Sequence, residues 1–90
     1  MSSDKYNALR KKLDEEHQWP SLYLFKFIIP NTPKLLAQVQ ALFGEEAVVA
    51  YRKSKTGKYL SVSGKEVILS ADEVITRYKK AESIDKIVIL

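Results

Sequence analysis

Residues 22–29, Leu-Tyr-Leu-Phe-Lys-Phe-Ile-Ile, decide the fold of this chain, because they form its longest apolar stretch. Aromatic and branched side chains in such a run, closed by Pro30-Asn31, predict a β-strand. Lys26 sets the phase of the strand, since a lysine is rarely fully buried without a partner. Side chains alternate between the two faces of a strand, so Lys26 is expected on the solvent side with Leu24 and Ile28. The core side is then formed by Tyr23, Phe25, Phe27 and Ile29.

The segment before this strand is predicted to be a helix over residues 4–16, with Ser2 or Ser3 as its N-cap. Its apolar stripe is narrow, which is typical of a helix that lies on a surface. Trp19-Pro20 ends the segment, because the residue before a proline avoids helical backbone angles. We therefore assign residues 1–18 to a helical extension and residues 19–90 to the main domain. The stripe consists of Tyr6, Leu9 and Leu13.

Two further helices are predicted within the main domain. The first begins at Thr32-Pro33, with threonine as cap and proline in the first turn, and ends at Gly44 in a left-handed conformation. The second begins with the capping box formed by Ser70 and Glu73 and runs to about residue 81. The apolar face of the first consists of Leu35, Leu36, Val39, Leu42 and Phe43.

Three more strands complete the pattern, at residues 47–52, 58–65 and 87–90. A hairpin loop joins the first two, with Gly57 where a positive φ is needed, and Gly64 is expected to mark a bulge or a bend. The order after the N-terminal helix is βαββαβ. It predicts a ferredoxin-like α+β fold, in which a four-stranded antiparallel sheet has its first and third strands in the centre and both main helices on one face.

The composition excludes several classes of protein. The chain has 90 residues, 46% of them hydrophobic and 29% charged, which is typical of one globular domain. It has no cysteine, so neither a disulfide nor a thiolate metal site is expected. Its first residues lack a signal-peptide pattern and no apolar run is long enough to span a bilayer, so we expect a soluble, cytoplasmic protein without a membrane partner. The net charge of +4 comes from interleaved charges of both signs, which is typical of a solvated surface.

No residue pattern predicts catalysis, a cofactor or a metal site. His17 is the only histidine and lies at a helix end, where we assign it a structural capping role. The carboxylates cluster at helix ends and turns, where solvation and the helix dipole explain them. Residues 55–58, Lys-Thr-Gly-Lys, lack the glycine spacing of a phosphate-binding loop. We therefore expect no enzyme activity.

The predicted hairpin is the first of two candidate binding surfaces, because four cations lie within it. One interpretation is a solubilising loop that discourages edge pairing with other molecules. The other is a site for an acidic partner or a phosphate backbone. The four residues are Arg52, Lys53, Lys55 and Lys58.

The open face of the sheet is the second candidate surface. Its mixture of apolar and polar side chains is rarely left bare, so we expect it to be covered by the N-terminal helix or by a second copy of the chain in a homodimer. RNA recognition requires stacking aromatics on both central strands, and only Tyr59 qualifies, so a nucleic-acid partner is not expected. The face comprises Leu24, Lys26, Ile28, Tyr59, Ser61 and Ser63, with Tyr51 or Val49 beside them.

Several short motifs resemble the YbeD-like family of small bacterial proteins, over residues 19 to 90. They are Trp19-Pro20, then Tyr23 and Phe25-Lys26, then residues 57–63 (Gly-Lys-Tyr-Leu-Ser-Val-Ser), then Tyr78 and Ile84-Asp85. The family is classed as a domain of unknown function. The resemblance implies a ferredoxin-like fold similar to ACT regulatory domains, and it implies no catalytic residues.

The similarity to ACT domains directs attention to one loop. Residues 31–36, Asn-Thr-Pro-Lys-Leu-Leu, look like the ACT ligand loop, in which an aspartate and a glycine stand where this chain has Asn31 and Lys34. The glycine would let a ligand approach the backbone and the acid would meet an amino group, so both departures count against amino-acid binding. Asn31, Thr32 and Lys34 are the candidate residues of such a ligand site.

Three functions are compatible with these patterns. The leading hypothesis is a non-enzymatic regulatory or protein-interaction module that contacts an unknown protein partner through the open face or the hairpin. The first alternative is an ACT-like sensor of an amino acid or a small anion, which would use the loop at Asn31. The second alternative is a weak RNA-binding protein.

Overall fold

A computed structural model describes residues 3–90, and it places three α-helices and four β-strands in that part of the chain. In chain order they are α1 (Ser3–Glu16), β1 (Ser21–Pro30), α2 (Pro33–Gln40), β2 (Val48–Lys53), β3 (Tyr59–Ile68), α3 (Ala71–Glu82) and β4 (Val88–Ile89). Of the two predicted caps of α1, Ser2 lies outside the described residues, and Ser3 is the first residue of the helix.

The four strands form one open sheet in the order β2-β3-β1-β4, and every neighbouring pair is antiparallel. β1 and β3 are the central strands, as predicted. Their register runs without interruption from Ser21 opposite Ile68 to Pro30 opposite Tyr59. The predicted bulge or bend at Gly64 is therefore wrong. Gly64 is a regular sheet position, paired with Phe25 on one side and Val49 on the other.

The phase of β1 confirms the prediction made from Lys26. Phe25 and Phe27 are fully buried, whereas Lys26 is exposed on the opposite face. The register places Val62 of β3 beside Phe27, so the two central strands direct their apolar side chains to the same side. Burial of these rings and branched side chains is the main contribution to stability, at about 25 cal/mol per Å² of apolar surface.

All three helices contribute to this one core. Val39 of α2 and Val74 of α3 are fully buried in it, and Tyr6 and Leu13 of α1 belong to the same cluster. α1 packs against α3, and an ion pair of 2.8 Å joins Arg10 Nε to Asp72 Oδ1 on its outer side. The expectation that the N-terminal helix could cover the open face is thus wrong, because the stripe of α1 is used on the helix side.

The end of α2 differs from the prediction. The helix ends at Gln40 with Ala41 as a right-handed C-cap, and Gly44 does not adopt a positive φ. Tight turns close the segment instead, with Leu42 N–H donating to the carbonyl of Val39 at 3.0 Å. The Gly44 N–H then donates to Oε1 of Glu66 at 3.1 Å. The turn bonds therefore satisfy the carbonyls that a left-handed glycine cap would satisfy, and a side chain of β3 holds the N–H of Gly44.

Glu66 is also the centre of an ion pair between β3 and α3. Arg77 contacts it with both terminal nitrogens, at 2.8 and 3.0 Å, and both side chains are largely buried. The guanidinium group of Arg77 also lies 5.1 Å from the centre of the Phe25 ring. The hydrogen bonds from Arg77 hold the pKa of the Glu66 carboxyl below its usual value, against the effect of burial. The sequence interpretation ended β3 at residue 65 and missed this contact.

The predicted start of α3 is confirmed at Ser70. Its Oγ accepts a hydrogen bond from the N–H of Glu73 at 3.2 Å, as expected for a capping box. The carboxylate of Glu73 reaches one residue further back than in that motif and accepts from the N–H of Leu69. Gly57 has a φ of 75° in the hairpin turn, as its position predicted.

Candidate functional site

The face of the sheet opposite the helices keeps many apolar side chains exposed. Leu22 is 60% exposed and Leu24 is 46% exposed, although both lie on the central strand β1. Large exposed apolar patches on a protein surface often mark interaction sites. The exposed apolar residues of this face are Leu22, Leu24, Val48, Tyr59, Val67, Val88 and Leu90.

A concavity of about 460 Å³ lies near the middle of this face. Its floor is made of small residues, because Ser63 pairs with Ala50 across the β3–β2 boundary. Lys26 stands opposite Ser63 on β1, and Arg52 stands opposite Ser61 on β2. The structure thus brings four predicted site residues together: Lys26, Arg52, Ser61 and Ser63.

The open face carries positive charge without compensation. Lys26, Arg52 and Lys65 project from it, and none of the three takes part in an ion pair among residues 5–90. The strand positions that share this face include no acidic residue, since Glu66 of β3 is directed to the helices. Two cations beside two hydroxyl groups can bind a carboxylate or a phosphate through charge-assisted hydrogen bonds.

The aromatic content of this face is low. Tyr59 lies at one end of β3, opposite Pro30, and is 53% exposed. The prediction that Tyr51 or Val49 lies on this face is wrong, because they pair with Val62 and Gly64 and share the helix-side orientation of those positions. The hydroxyl of Tyr51 accepts a hydrogen bond of 2.9 Å from Nε2 of Gln40, the last residue of α2. Ala50 and Arg52 occupy the open face of β2 instead.

The basic hairpin is divided between different surfaces. Arg52 lines the concavity, whereas Lys53 pairs with Leu60 and shares the helix side of the sheet. Lys55 and Lys58 are exposed in the turn between the strands. The four predicted cations therefore do not form one patch.

The candidate ligand loop is hydrogen-bonded to this hairpin. Asn31 donates from Nδ2 to the carbonyl of Gly57 at 3.0 Å and from its backbone N–H to the carbonyl of Lys58 at 2.8 Å. Thr32 uses its Oγ1 to accept from the N–H of Leu35, which caps α2. Both polar side chains are thus engaged in the fold. Lys34 lines a separate cleft of about 370 Å³ between this loop and the loop after α3.

His17 connects the end of α1 to the start of β1. Its Nδ1 lies 3.0 Å from Oγ of Ser21, and its ring stacks on Trp19 with the ring centres 5.1 Å apart. The indole N–H of Trp19 donates in turn to Asp14 at 2.9 Å. These contacts orient the segment between the two elements.

Two further results concern the described part of the chain. It contains no group of three histidine, cysteine, aspartate or glutamate residues placed to hold a metal ion. None of its helices combines the length and the apolar character needed to cross a membrane.

Sequence reasoning missed several members of the open face. Lys65 has the same period-two phase as Ser61 and Ser63 and lies within the predicted strand 58–65, so the alternation alone could have revealed it. Ala50 had no detectable signal, because β2 has apolar residues in both phases. The contribution of Leu90 depends on its pairing with β1, where its N–H donates to the carbonyl of Lys26 at 3.0 Å.

Comparison with known proteins assigns the chain to a family. The family described as "Protein of unknown function (DUF493)" matches residues 14–90, which include β1 to β4, α2 and α3. Neither the curated proteins nor the solved structures yield a match. The match covers most of the sequence and contains all the motifs noted above, from Trp19-Pro20 onward. The chain therefore belongs to the DUF493 family, which is the YbeD family.

Proposed function

We propose that this chain is a non-enzymatic protein-interaction module that binds an acidic, partly apolar segment of another protein on the open face of its sheet. The observation that carries the proposal is the concavity between Lys26 and Arg52, which has Ser61 and Ser63 on its floor and exposed apolar side chains elsewhere on the same face. Apolar contacts would supply affinity, and the unpaired cations would orient the acidic groups of the partner.

Charge complementarity favours such a partner over a second copy of the chain. In a two-fold symmetric dimer the same patch faces itself, so the open faces would bring Lys26, Arg52 and Lys65 close to their own equivalents. No acidic residue on the same strand faces would offset this repulsion. A homodimer through the open face is therefore the less favourable arrangement.

We infer that the main domain is ferredoxin-like. Support comes from the element order after α1, from the antiparallel sheet with β1 and β3 in the centre, and from the packing of α2 and α3 on one side. A fold of this kind hosts many functions, so the proposed role rests on the surface rather than on the fold.

The absence of catalysis is part of the proposal. Strongly shifted pKa values are a common mark of active sites, and among the described residues the large shift is that of Tyr78, at a contact inside the fold. Arg77 lowers the pKa of Glu66, and burial, followed by the hydrogen bond with Tyr23, raises the pKa of Tyr78. Both groups are on the helix side, away from the concavity.

The two alternatives have less support. A sensor at the Asn31 loop would need polar groups free to meet a ligand, whereas Asn31 and Thr32 already bond to Gly57 and Leu35. An RNA-binding sheet would need stacking aromatics on both central strands. The open side of β1 and β3 has one aromatic residue, Tyr59.

A titration with a fluorescent peptide of alternating glutamate and leucine tests the proposal. Fluorescence anisotropy should show saturable binding that weakens with salt. The double variant Lys26→Glu, Arg52→Glu should bind about tenfold more weakly, since exposed ion pairs contribute about 0.2–1 kcal/mol each. A peptide of alternating lysine and leucine should not bind.

The matched control is Lys53→Glu, Lys55→Glu, which changes the net charge equally but lies outside the concavity. Equal weakening by both double variants would contradict the proposed site, since it would indicate general electrostatic attraction. Binding of single-stranded RNA in place of the peptide, lost in the first double variant, would overturn the protein-partner assignment in favour of the RNA alternative.

A further inference from the structure

The open face of the sheet has two ends of different character, with β3 running along its middle. At one end Lys26 and Arg52 flank the concavity, and each stands opposite a serine of β3. At the other end Val67 of β3 stands opposite Leu22 of β1. Lys65 marks the border between the two ends. The side chains of the apolar end are 46–72% exposed, and they are Leu22, Leu24, Val48 and Val67.

The dimensions of this face are those of a short helix. Ser61 and Val67 mark its two ends on β3 and lie six positions apart, which is about 20 Å at about 3.3 Å per residue. β1 and β2 lie on either side of β3 at about 4.8 Å each, so the face is about 10 Å wide between them. An α-helix is about 10–12 Å across and rises about 1.5 Å per residue. A helix of about 13 residues along β3 would therefore cover both ends.

The backbone of the sheet is not available to a segment that lies on this face. β3 pairs with β1 along its whole length and with β2 over residues 60–65, so its N–H and carbonyl groups are directed within the sheet. A segment on the face must satisfy its own backbone groups, because unpaired N–H and carbonyl groups are costly when buried. An α-helix does so internally, whereas a single extended segment does not. The face therefore favours a helix.

The charges of the face determine where such a helix carries its acidic side chains. Lys26 and Arg52 are exposed and make no ion pair among residues 5–90. Carboxylates at the same end of the helix would be attracted by both. The stem of Lys65 can cover the neighbouring apolar side chains while its ammonium group stays in water. Apolar residues at helical spacing would then cover the other end of the face.

We propose that the occupant of the open face is an amphipathic α-helix of a partner protein, which lies along β3 with acidic side chains at the concavity and apolar side chains over Leu22 and Val67. This inference rests on the proposed function, because it specifies the partner segment for the same face. Recognition of an amphipathic helix through anchors at positions i, i+3, i+4 and i+7 is a common mode of binding.

The helices of a second copy of this chain do not suit the role. The apolar side chains of α1, α2 and α3 already pack in the core, among them Tyr6 and Leu13 of α1, Val39 of α2 and Val74 of α3. A helix that docks on the open face needs an apolar stripe that is free. The occupant is therefore a helix of another protein.

Synthetic peptides of equal composition and about 13 residues test the helix. In the segregated peptide, leucines occupy the first turns at helical spacing and glutamates follow on the same face, whereas in the alternating peptide the two residue types alternate. The segregated peptide should bind at least about tenfold more tightly in fluorescence anisotropy. Proline in place of its central residue should weaken binding by at least about tenfold, because proline breaks a helix. Equal affinity of the three peptides would overturn the proposal.

Paramagnetic labels on the segregated peptide test how it is placed. A nitroxide at the glutamate end should broaden the amide NMR signals of Arg52 and Ser61. A nitroxide at the leucine end should broaden those of Leu22 and Val67. The reverse pattern, or equal broadening of both ends by either label, would overturn the proposed placement.

Two double variants separate the two ends of the face. Leu22→Asn, Val67→Asn should weaken the segregated peptide about tenfold, and should weaken equally a version with glutamine in place of glutamate. Lys26→Glu, Arg52→Glu should weaken the segregated peptide about tenfold but leave the glutamine version nearly unchanged. Leu22 and Val67 are exposed, so their replacement should not unfold the protein, and the amide NMR spectrum checks this. Equal effects of both double variants on the glutamine version would contradict the division of the face.

Failure of this inference is distinct from failure of the proposed function. Binding of the alternating peptide as tightly as the segregated one would overturn the helix and leave the protein-interaction site in place. Absence of binding by both peptides would contradict the proposed function itself. A concentration-dependent dimer in sedimentation experiments, abolished by Leu22→Asn, Val67→Asn, would assign the face to a second copy and overturn both.

Discussion

The ring of Phe43 lies directly against Gly64, and a β-carbon at Gly64 would overlap with the ring. Phe43 follows α2, and Gly64 lies in the central strand β3 between Ser63 and Lys65. The contact therefore holds the helix layer against the back of the strand that carries the hydroxyl groups of the concavity. This packing, rather than a bulge, explains a glycine in the middle of a strand.

Gly64→Ala should lower the free energy of unfolding by about 1–3 kcal/mol, because the added methyl group overpacks the core. Urea unfolding measures the change. In a Phe43→Leu background the additional cost of alanine should be smaller, since the smaller side chain leaves room. An equal cost in both backgrounds would contradict the steric explanation.

The ion pair of Glu66 with Arg77 should make stability depend on pH in the acidic range. Because the folded state holds the pKa of Glu66 below its usual 4.5, the pair contributes stability above about pH 4.5, and this contribution is lost as pH falls further. Glu66→Gln should lower stability at pH 7 by about 2 kcal/mol and flatten the dependence below pH 4.5. Thermal unfolding of both proteins, measured at intervals of about one pH unit across roughly pH 3–7, gives this dependence.

Glu45→Gln is the control for this experiment, because Glu45 is exposed in the turn before β2 and makes no ion pair among the described residues. Its stability profile should match that of the parent protein. A parent profile that is flat below pH 4.5 would show that the pair does not act as described.

Asn31→Ala should loosen the contact between the β1–α2 loop and the hairpin. The variant loses the hydrogen bond to the Gly57 carbonyl but keeps the backbone bond to Lys58, so we expect a loss of about 1 kcal/mol. Faster amide exchange in the hairpin turn should accompany it. Lys34→Ala, close by in α2 and exposed, should change neither quantity.

Tyr78 should remain protonated to higher pH than free tyrosine. Burial, followed by its hydrogen bond of 2.7 Å to the Tyr23 hydroxyl, raises the pKa of Tyr78. The unfolded chain releases this proton near pH 10, so stability should fall as pH rises above that value. Absorbance titration of phenolate should show a late-ionising fraction that disappears in Tyr78→Phe. A titration curve identical in the two proteins would contradict the assignment.

The sequence alone determined those elements for which a single local signal is dominant. A single lysine in an otherwise apolar run set the phase of β1, because only one of its two faces could then be buried. Ser70 determined the start of α3 because its side chain can accept a hydrogen bond at the N-cap position. Gly57 determined the hairpin turn because its backbone is free to adopt a positive φ. These signals lie within a few residues of the feature they produce.

Tertiary structure decided the rest. β2 has apolar residues in both phases, so only its pairing with β3 determined that Ala50 and Arg52, rather than Val49 and Tyr51, face the open side. The narrow apolar stripe of α1 could pack against any apolar surface. The two ion pairs between α1 and α3 join residues that are 62 and 77 positions apart along the chain. The concavity depends on side chains from three strands. Such features arise from contacts between distant segments, and no local pattern encodes which segments will meet.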